Sequence, residues 1–211
     1  MAPPAGLLLA AGAGRRMGRP KALVELDGAP LVRRALCALA GGGCDPLVVV
    51  VGASADEVTA IVGGDALVVT ADDWASGMGA SLRAGLAALE HGSVTGGRAG
   101  SAVPAMSSGP SVALVHLVDL PGVGPEAIAR LAVAATGPEV LARAVYRGIP
   151  GHPVLMGRVH WAAVRAAAVG DVGARGYLGG HPGLLEVECG DLADPRDVDT
   201  PDALAAFGVV G

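Results

Sequence analysis

A chain of 211 residues, 52% hydrophobic and 17% charged, is long enough to fold as one compact unit with a sizeable core. Its net charge of -5 and its 2% aromatic content exclude a basic, base-stacking nucleic-acid surface. Cys37, Cys44 and Cys189 lack CxxC or His-paired spacing, which argues against a zinc site or a disulfide framework and for ordinary thiols in a reducing cytoplasm. The apolar stretch near the start is too short to span a bilayer and lacks the positive residues that precede a signal sequence, so Gly6 to Ala10 reads as a first strand. Pro46 to Val51, Ala66 to Thr70 and Ser111 to Val118 follow as apolar, largely β-branched runs, the pattern of strands covered on both faces. Between them, Pro30 to Leu39, Ala55 to Ile61 and Met78 to Glu90 place apolar residues at helical spacing. His91 to Pro110, rich in Gly, Ser and Pro, reads as a mobile surface loop and not as a domain boundary, because too little chain lies on either side for two cores. Pro125 to Ala135 and Arg158 to Ala168 read as helices, Val140 to Tyr146 and Leu184 to Glu188 as strands, and Thr200 to Phe207 as a closing helix. This alternation predicts a single three-layer α/β domain over residues 1–211 without internal repeats.

The first strand runs into LAAGAGRRMGRPK, Leu9 to Lys21, which combines three glycines with three arginines and a lysine. Glycine lets backbone N–H groups converge on a small anion, so the stretch predicts a phosphate loop. Two familiar phosphate loops do not match. Gly18 is followed by Arg19, Pro20, Lys21 and Ala22, without the Lys-Ser/Thr pair of a P-loop. Gly12, Gly14 and Gly18 place the third glycine one residue too late for the dinucleotide fingerprint, and no acidic residue for a ribose follows Val51-Gly52. Met17 reads as a buried anchor for the loop, and Arg15 and Arg19 as solvated charges.

Ligands of open α/β sheets bind beyond the carboxyl ends of the strands, and that rule gathers the unusual residues on one edge. Asp119 in VDLPG stands at a strand tip, where an oxygen donor suits a hard divalent cation, although capping of the following helix is the plainer role. Asp194, Asp197 and Asp199 in DPRDVDTPDAL precede the last helix, with Asp199 or Thr200 as N-cap and Pro201 at its first position. One of these side chains can cap while its neighbour binds metal.

LAAGAGRRMGRPKALVELDGAPLV resembles the signature loop of nucleotidyltransferases that attach a nucleoside monophosphate to a phosphorylated acceptor, and is most similar to that of the molybdenum cofactor cytidylyltransferases. WASGMGASLRAGL, VDLPGV, GIPGHPVLMGRVHW, GDVGARGYL and DVDTPDAL occur in that family's order, so the resemblance covers nearly the whole chain. It implies a Rossmann-like, GT-A-like fold with a mixed, mostly parallel sheet, and transfer of CMP from CTP to the terminal phosphate of molybdopterin with release of pyrophosphate. It further implies Mg²⁺ on Asp119 and an acid of the last cluster, taken as Asp199, and Arg16, Lys21 and Asp119 as the catalytic set. Leu9, Ala10, Ala11, Gly12, Gly14, Arg16, Lys21, Gly79 and Ser81 are the expected nucleotide contacts; for Ser81, capping is the competing role. His152, Asp171 and Arg175 are the expected acceptor contacts, with a packed turn for His152 and a local pair for Asp171 and Arg175 as alternatives. Within the family, LAAG accompanies pyrimidine nucleotides and a second glycine accompanies guanine, so Ala10-Ala11-Gly12 points to CTP, with UTP still open.

The chemistry suits these residues. Transfer at an α-phosphorus requires neutralising about four negative charges and aligning the reactants, and a phosphate-monoester acceptor with a second pKa near 6 needs no dedicated base. Three alternatives accompany this expectation: a nucleotidyltransferase acting on another phosphorylated acceptor such as a sugar phosphate, an NAD(P)H-dependent oxidoreductase acting on a pigment of nicotine breakdown, and a non-catalytic CTP-binding factor for molybdoenzyme maturation. The first two share the fold, and fold alone does not choose among chemistries. The expected partners are small molecules and a molybdoenzyme or chaperone, with neither nucleic acid nor membrane.

Overall fold

The computed structural model describes residues 2–91 and 109–208. Most of the expected surface loop, residues 92–108, lies outside the described residues. Strands β1 (Ala5–Leu9), β4 (Leu47–Val51), β5 (Leu67–Thr70) and β6 (Val112–Leu117) are the four apolar runs of the first half. A short hairpin, β2 (Glu25–Leu26) and β3 (Ala29–Pro30), precedes helix α1 (Leu31–Gly41). Helices α2 (Ala55–Val62), α3 (Met78–His91) and α4 (Pro125–Ala132) alternate with these strands. The second half contributes β7 (Leu141–Tyr146), β8 (Ile149–Gly157), α5 (Arg158–Ala167), the single-turn α6 (Arg175–Leu178), β9 (Leu184–Glu188) and α7 (Pro201–Gly208).

Seven strands form one sheet in the order β5-β4-β1-β6-β8-β7-β9, and β8 alone runs against the rest. The mixed, mostly parallel sheet expected from the resemblance is therefore present. Pleating sends alternate side chains to opposite faces. Leu8, Val49, Val51 and Leu114 join one core with residues of α1, α2 and α4. Leu7, Val48, Val50 and Val115 join the other with residues of α3 and α5. Burying each such Leu or Val contributes about 1.5–3 kcal/mol, which is why continuous apolar runs were needed here. Among the described residues no helix is long and apolar enough to cross a membrane, and the three cysteines are free thiols.

Two features escaped the sequence pattern. Asp27 and Gly28 both have positive φ, 52° and 75°, the two-residue turn that closes the β2–β3 hairpin, and the Asp-Gly pair is its signal. Strand β8 was hidden by Pro150 and Pro153, residues that argue against a central strand. The sheet accommodates them because β6 pairs only with Val154–Gly157, while β7 reaches Ile149 and Pro150 across a register shift between Arg143 and Val145.

Candidate active site

The loop after β1 owes its shape to Gly14. Its φ of +61° is left-handed, and a Cβ there would lie 1.9 Å from the Arg19 carbonyl oxygen, so the chain folds back on itself only with glycine. Met17 is buried in the core beneath the loop, and Arg19 donates to the Leu23 carbonyl at 2.8 Å, so neither faces the ligand side. The N–H groups of Ala11, Gly12, Ala13 and Gly14 donate to no carbonyl among the described residues.

Lys21 follows in a short 3-10 turn, Lys21–Leu23. Its ammonium donates to Asp119 Oδ2 at 2.7 Å and also to Asp199 Oδ1, and Arg16 takes the other oxygen of Asp199. The carboxylates come from segments about 80 residues apart, brought together by backbone bonds from Val198 N–H to Asp119 O (3.0 Å) and from Asp194 N–H to Gly122 O (3.1 Å). The Thr200 hydroxyl caps α7 by accepting the Ala203 N–H at 3.2 Å, which leaves Asp199 to the charge cluster. Asp194 pairs instead with Arg196, and Asp197 lines the cleft beside Asp199. Burial alone would lower the Lys21 pKa, but the Asp119 and Asp199 carboxylates outweigh it and hold the ammonium above its usual value. The Lys21 hydrogen bond, opposed by partial burial and aided by Arg16, holds Asp199 below the usual carboxylate range.

These groups border a cleft of about 560 Å³. Leu9, Ala11, Gly12, Gly14, Arg15, Arg16, Lys21, Ser81 and Asp119 all line it. Two expected nucleotide contacts sit elsewhere. Ala10 is buried in the core, its N–H bonded to Val50 O at 2.9 Å. Gly79 is packed where a Cβ would lie 2.7 Å from Ala168 O, so it allows α3 to approach the 168–171 segment. Asp171, expected at the acceptor, lines this cleft as well and accepts the Met78 N–H at 3.3 Å.

A second pocket of about 290 Å³ opens on the β6–β8–β7 side and shares Leu9 and Met78 with the cleft. Its body is apolar, with Leu82, Val115, Val154, Met156 and Leu178. Its charged lining is only positive, from Arg143 and Arg175, and His152 stands among them. Burial, with Arg175 nearby, lowers the His152 pKa against the opposing pull of the Val115 carbonyl and of Asp119. Asp171 and Arg175 therefore face different cavities and do not form a local pair. Arg143 was not singled out by the sequence. The cross-strand row Val115–Val154–Arg143–Glu186 puts it on the pocket face, with Glu186 holding its Nε at 3.1 Å. A charged residue inside the otherwise buried run LARAVY was the signal.

Comparison with known proteins identifies the family. Residues 6–184 match the model of a MobA-like NTP transferase domain. The chain is 35% identical over 209 residues to a nicotine blue oxidoreductase of Paenarthrobacter nicotinovorans, covering 94% of this chain and 93% of that protein. It is 33% identical over 205 residues to a molybdenum cofactor guanylyltransferase of Rhodobacter capsulatus, covering 95% and 88%. A crystal structure from Mycobacterium sp. strain JC1 superimposes with a TM-score of 0.76 at 28% identity, covering 97% of this chain and 94% of that one. The match over residues 6–184, with the fold that carries them, places this chain in the MobA-like NTP transferase domain family.

Proposed function

We propose that the protein transfers CMP from CTP to the terminal phosphate of molybdopterin, with Mg²⁺ and release of pyrophosphate. The observation that carries this is the convergence of Asp119 and Asp199 on one ammonium, Lys21, beside a loop of undonated N–H groups. Two carboxylates so close that one cation touches both are a donor set suited to Mg²⁺, which takes one or two carboxylates and completes its shell with phosphate oxygens and water. When bound there, the metal supplies charge neutralisation on the triphosphate. The N–H groups of Ala11 to Gly14 are available to the β- and γ-phosphates, and Arg16 and Lys21 exchange their carboxylate partners for phosphate oxygens. A phosphate oxygen of the acceptor attacks the α-phosphorus as the bond to the bridging β-phosphate oxygen breaks, and pyrophosphate carries away the electron pair. The acceptor phosphate is mostly dianionic at neutral pH, so His152 need not act as a base. The smaller pocket, apolar with Arg143, Arg175 and His152, suits an uncharged ring system carrying a phosphate and further hydrogen-bond acceptors. CTP is preferred to GTP because Ala11 keeps a methyl group on the cleft wall. Thermal stabilisation by each nucleoside triphosphate with Mg²⁺, followed by pyrophosphate release with molybdopterin, tests the assignment; stabilisation by none of the four opposes it.

The 35% identity to a nicotine blue oxidoreductase supports a second activity, hydride transfer from a nicotinamide cofactor to a pigment held in the smaller pocket. Oxidation of the nicotinamide without pyrophosphate release would favour it.

A further inference from the structure

Along the carboxyl edge of the sheet the large cleft runs from Asp119, after β6, past the glycine loop, after β1, to the turn after β5, which packs on Gly52 at the end of β4. Strands lie about 4.8 Å apart, so the end of β4 is about 10 Å from that of β6. A nucleotide with its phosphates at Lys21 therefore has its base near β4. Trp74 stands there. It is half-buried, opens the 3-10 turn Trp74–Ser76, and is the sole aromatic side chain among the residues that line the cleft.

Its placement is built in from two sides. A Cβ on Gly52, just after β4, would lie 2.5 Å from Trp74 Cγ and 2.8 Å from the Ala11 methyl carbon, so the indole rests on bare backbone beside Ala11. From the other side, Arg83 of α3 pairs with Asp73 at 2.7 Å and steadies the turn. The two tryptophans differ in their bonding. Trp161 is wholly buried and donates its indole N–H to Met156 O at 3.0 Å. The Trp74 indole N–H has no partner among the described residues, although it borders a polar cleft.

We propose that Trp74 is the residue that selects the base: its indole forms the wall against which a pyrimidine packs, and its N–H is free to donate to a carbonyl oxygen of that ring. This rests on the cleft being the nucleotide site. It also relocates the effect of Ala11, whose methyl group acts through the indole that shares the space above Gly52 with it. In Ala11→Gly the ring can settle toward β4, which widens the slot for a purine. Base–aromatic packing and a single methyl group carry similar, moderate energies, so a change in preference of about tenfold is expected.

Trp161 is buried, so fluorescence changes on nucleotide binding report Trp74. The experiment titrates the full chain with CTP, UTP, GTP and ATP in the presence of Mg²⁺, alongside Trp74→Phe and Trp74→Ala. We expect saturable quenching of the wild type by CTP, with the response lost in both variants. Trp74→Ala should raise KM for CTP about tenfold or more, leave kcat within about threefold, and flatten the CTP-to-GTP ratio, while Trp74→Phe restores part of that ratio. Wild-type quenching with an unchanged KM and ratio in Trp74→Ala would make Trp74 a packing residue and overturn the proposal, while the nucleotide site stands. Neither quenching nor thermal stabilisation by any of the four nucleotides would overturn both.

Discussion

The two cavities that meet at Leu9 and Met78 are built by different means. The large cleft is made of loops: one glycine-bearing segment supplies its N–H groups and cations, and two acidic segments beside it are laced to one another by backbone bonds. Its central charges are paired, Arg16 and Lys21 with Asp119 and Asp199, and on the proposed reading metal and triphosphate exchange partners with that cluster. The smaller pocket is made of sheet. Its floor is a row of side chains fixed by register across β6, β8 and β7, and Glu186 of β9, which pairs with Arg143, stands outside the lining. On the proposed reading, loops supply the chemistry of transfer and the sheet supplies the pocket for the acceptor.

The sharpest way to break this contrast is in the cleft. Asp119→Asn removes a charge at a strand tip and leaves the core unchanged, so turnover should fall by roughly 10³-fold with the melting temperature nearly constant. Lys21→Ala should lower kcat/KM for nucleotide by about 10²-fold. Arg19→Ala should do far less, because its guanidinium holds Leu23 O. Equal losses from Lys21→Ala and Arg19→Ala would mean that a diffuse field, not discrete contacts, serves the phosphates.

On the pocket side the effect should be smaller and of a different kind. Arg143→Met keeps the stem and removes the guanidinium, so KM for the acceptor should rise about tenfold while KM for CTP stays constant. A rise in both would show that the two cavities do not divide the substrates as their construction implies.

The smallest effect concerns the core beneath them. His116 is 1% exposed, its Nδ1 has no partner among the described residues, and burial, with His152 nearby, pushes its pKa down to about 3. The unfolded chain takes up this proton near the usual imidazole value and the folded chain does not. Stability is therefore complete above about pH 6.5 and falls as the pH drops, by up to about 1.4 kcal/mol per unit from this group. Denaturant titrations of His116→Leu between pH 6.5 and 4.5 should show a shallower pH dependence by that amount. An unchanged slope would place the acid sensitivity elsewhere.

What could be read in advance follows the same division. Strands β1, β4, β5 and β6 were legible because buried parallel strands are continuous apolar runs, and Gly14, Lys21 and Asp119 stood out as candidates because a glycine-rich loop and a strand-tip acid are local patterns. Asp199 was separable from Asp194 and Asp197 only once Thr200 was seen to cap α7 and Asp194 to pair with Arg196. Arg143 showed only as a charge inside an apolar run, its place in the pocket depending on register, and β8 was illegible because a strand broken by Pro150 and Pro153 gives no period to follow. Gly79 looked like a ligand contact because nothing in sequence distinguishes close helix packing from close ligand approach.

The central claim is that a nucleotide in the loop-built cleft is attacked by an acceptor in the sheet-built pocket. It is tested most directly with CTP labelled at the α-phosphate, incubated with the protein, Mg²⁺ and molybdopterin. The account predicts that the label moves into the molybdopterin product with one pyrophosphate released per transfer, and that Asp119→Asn abolishes this. Label remaining in CTP, while reduced nicotinamide is oxidised in the presence of a pigment of nicotine breakdown, would contradict it.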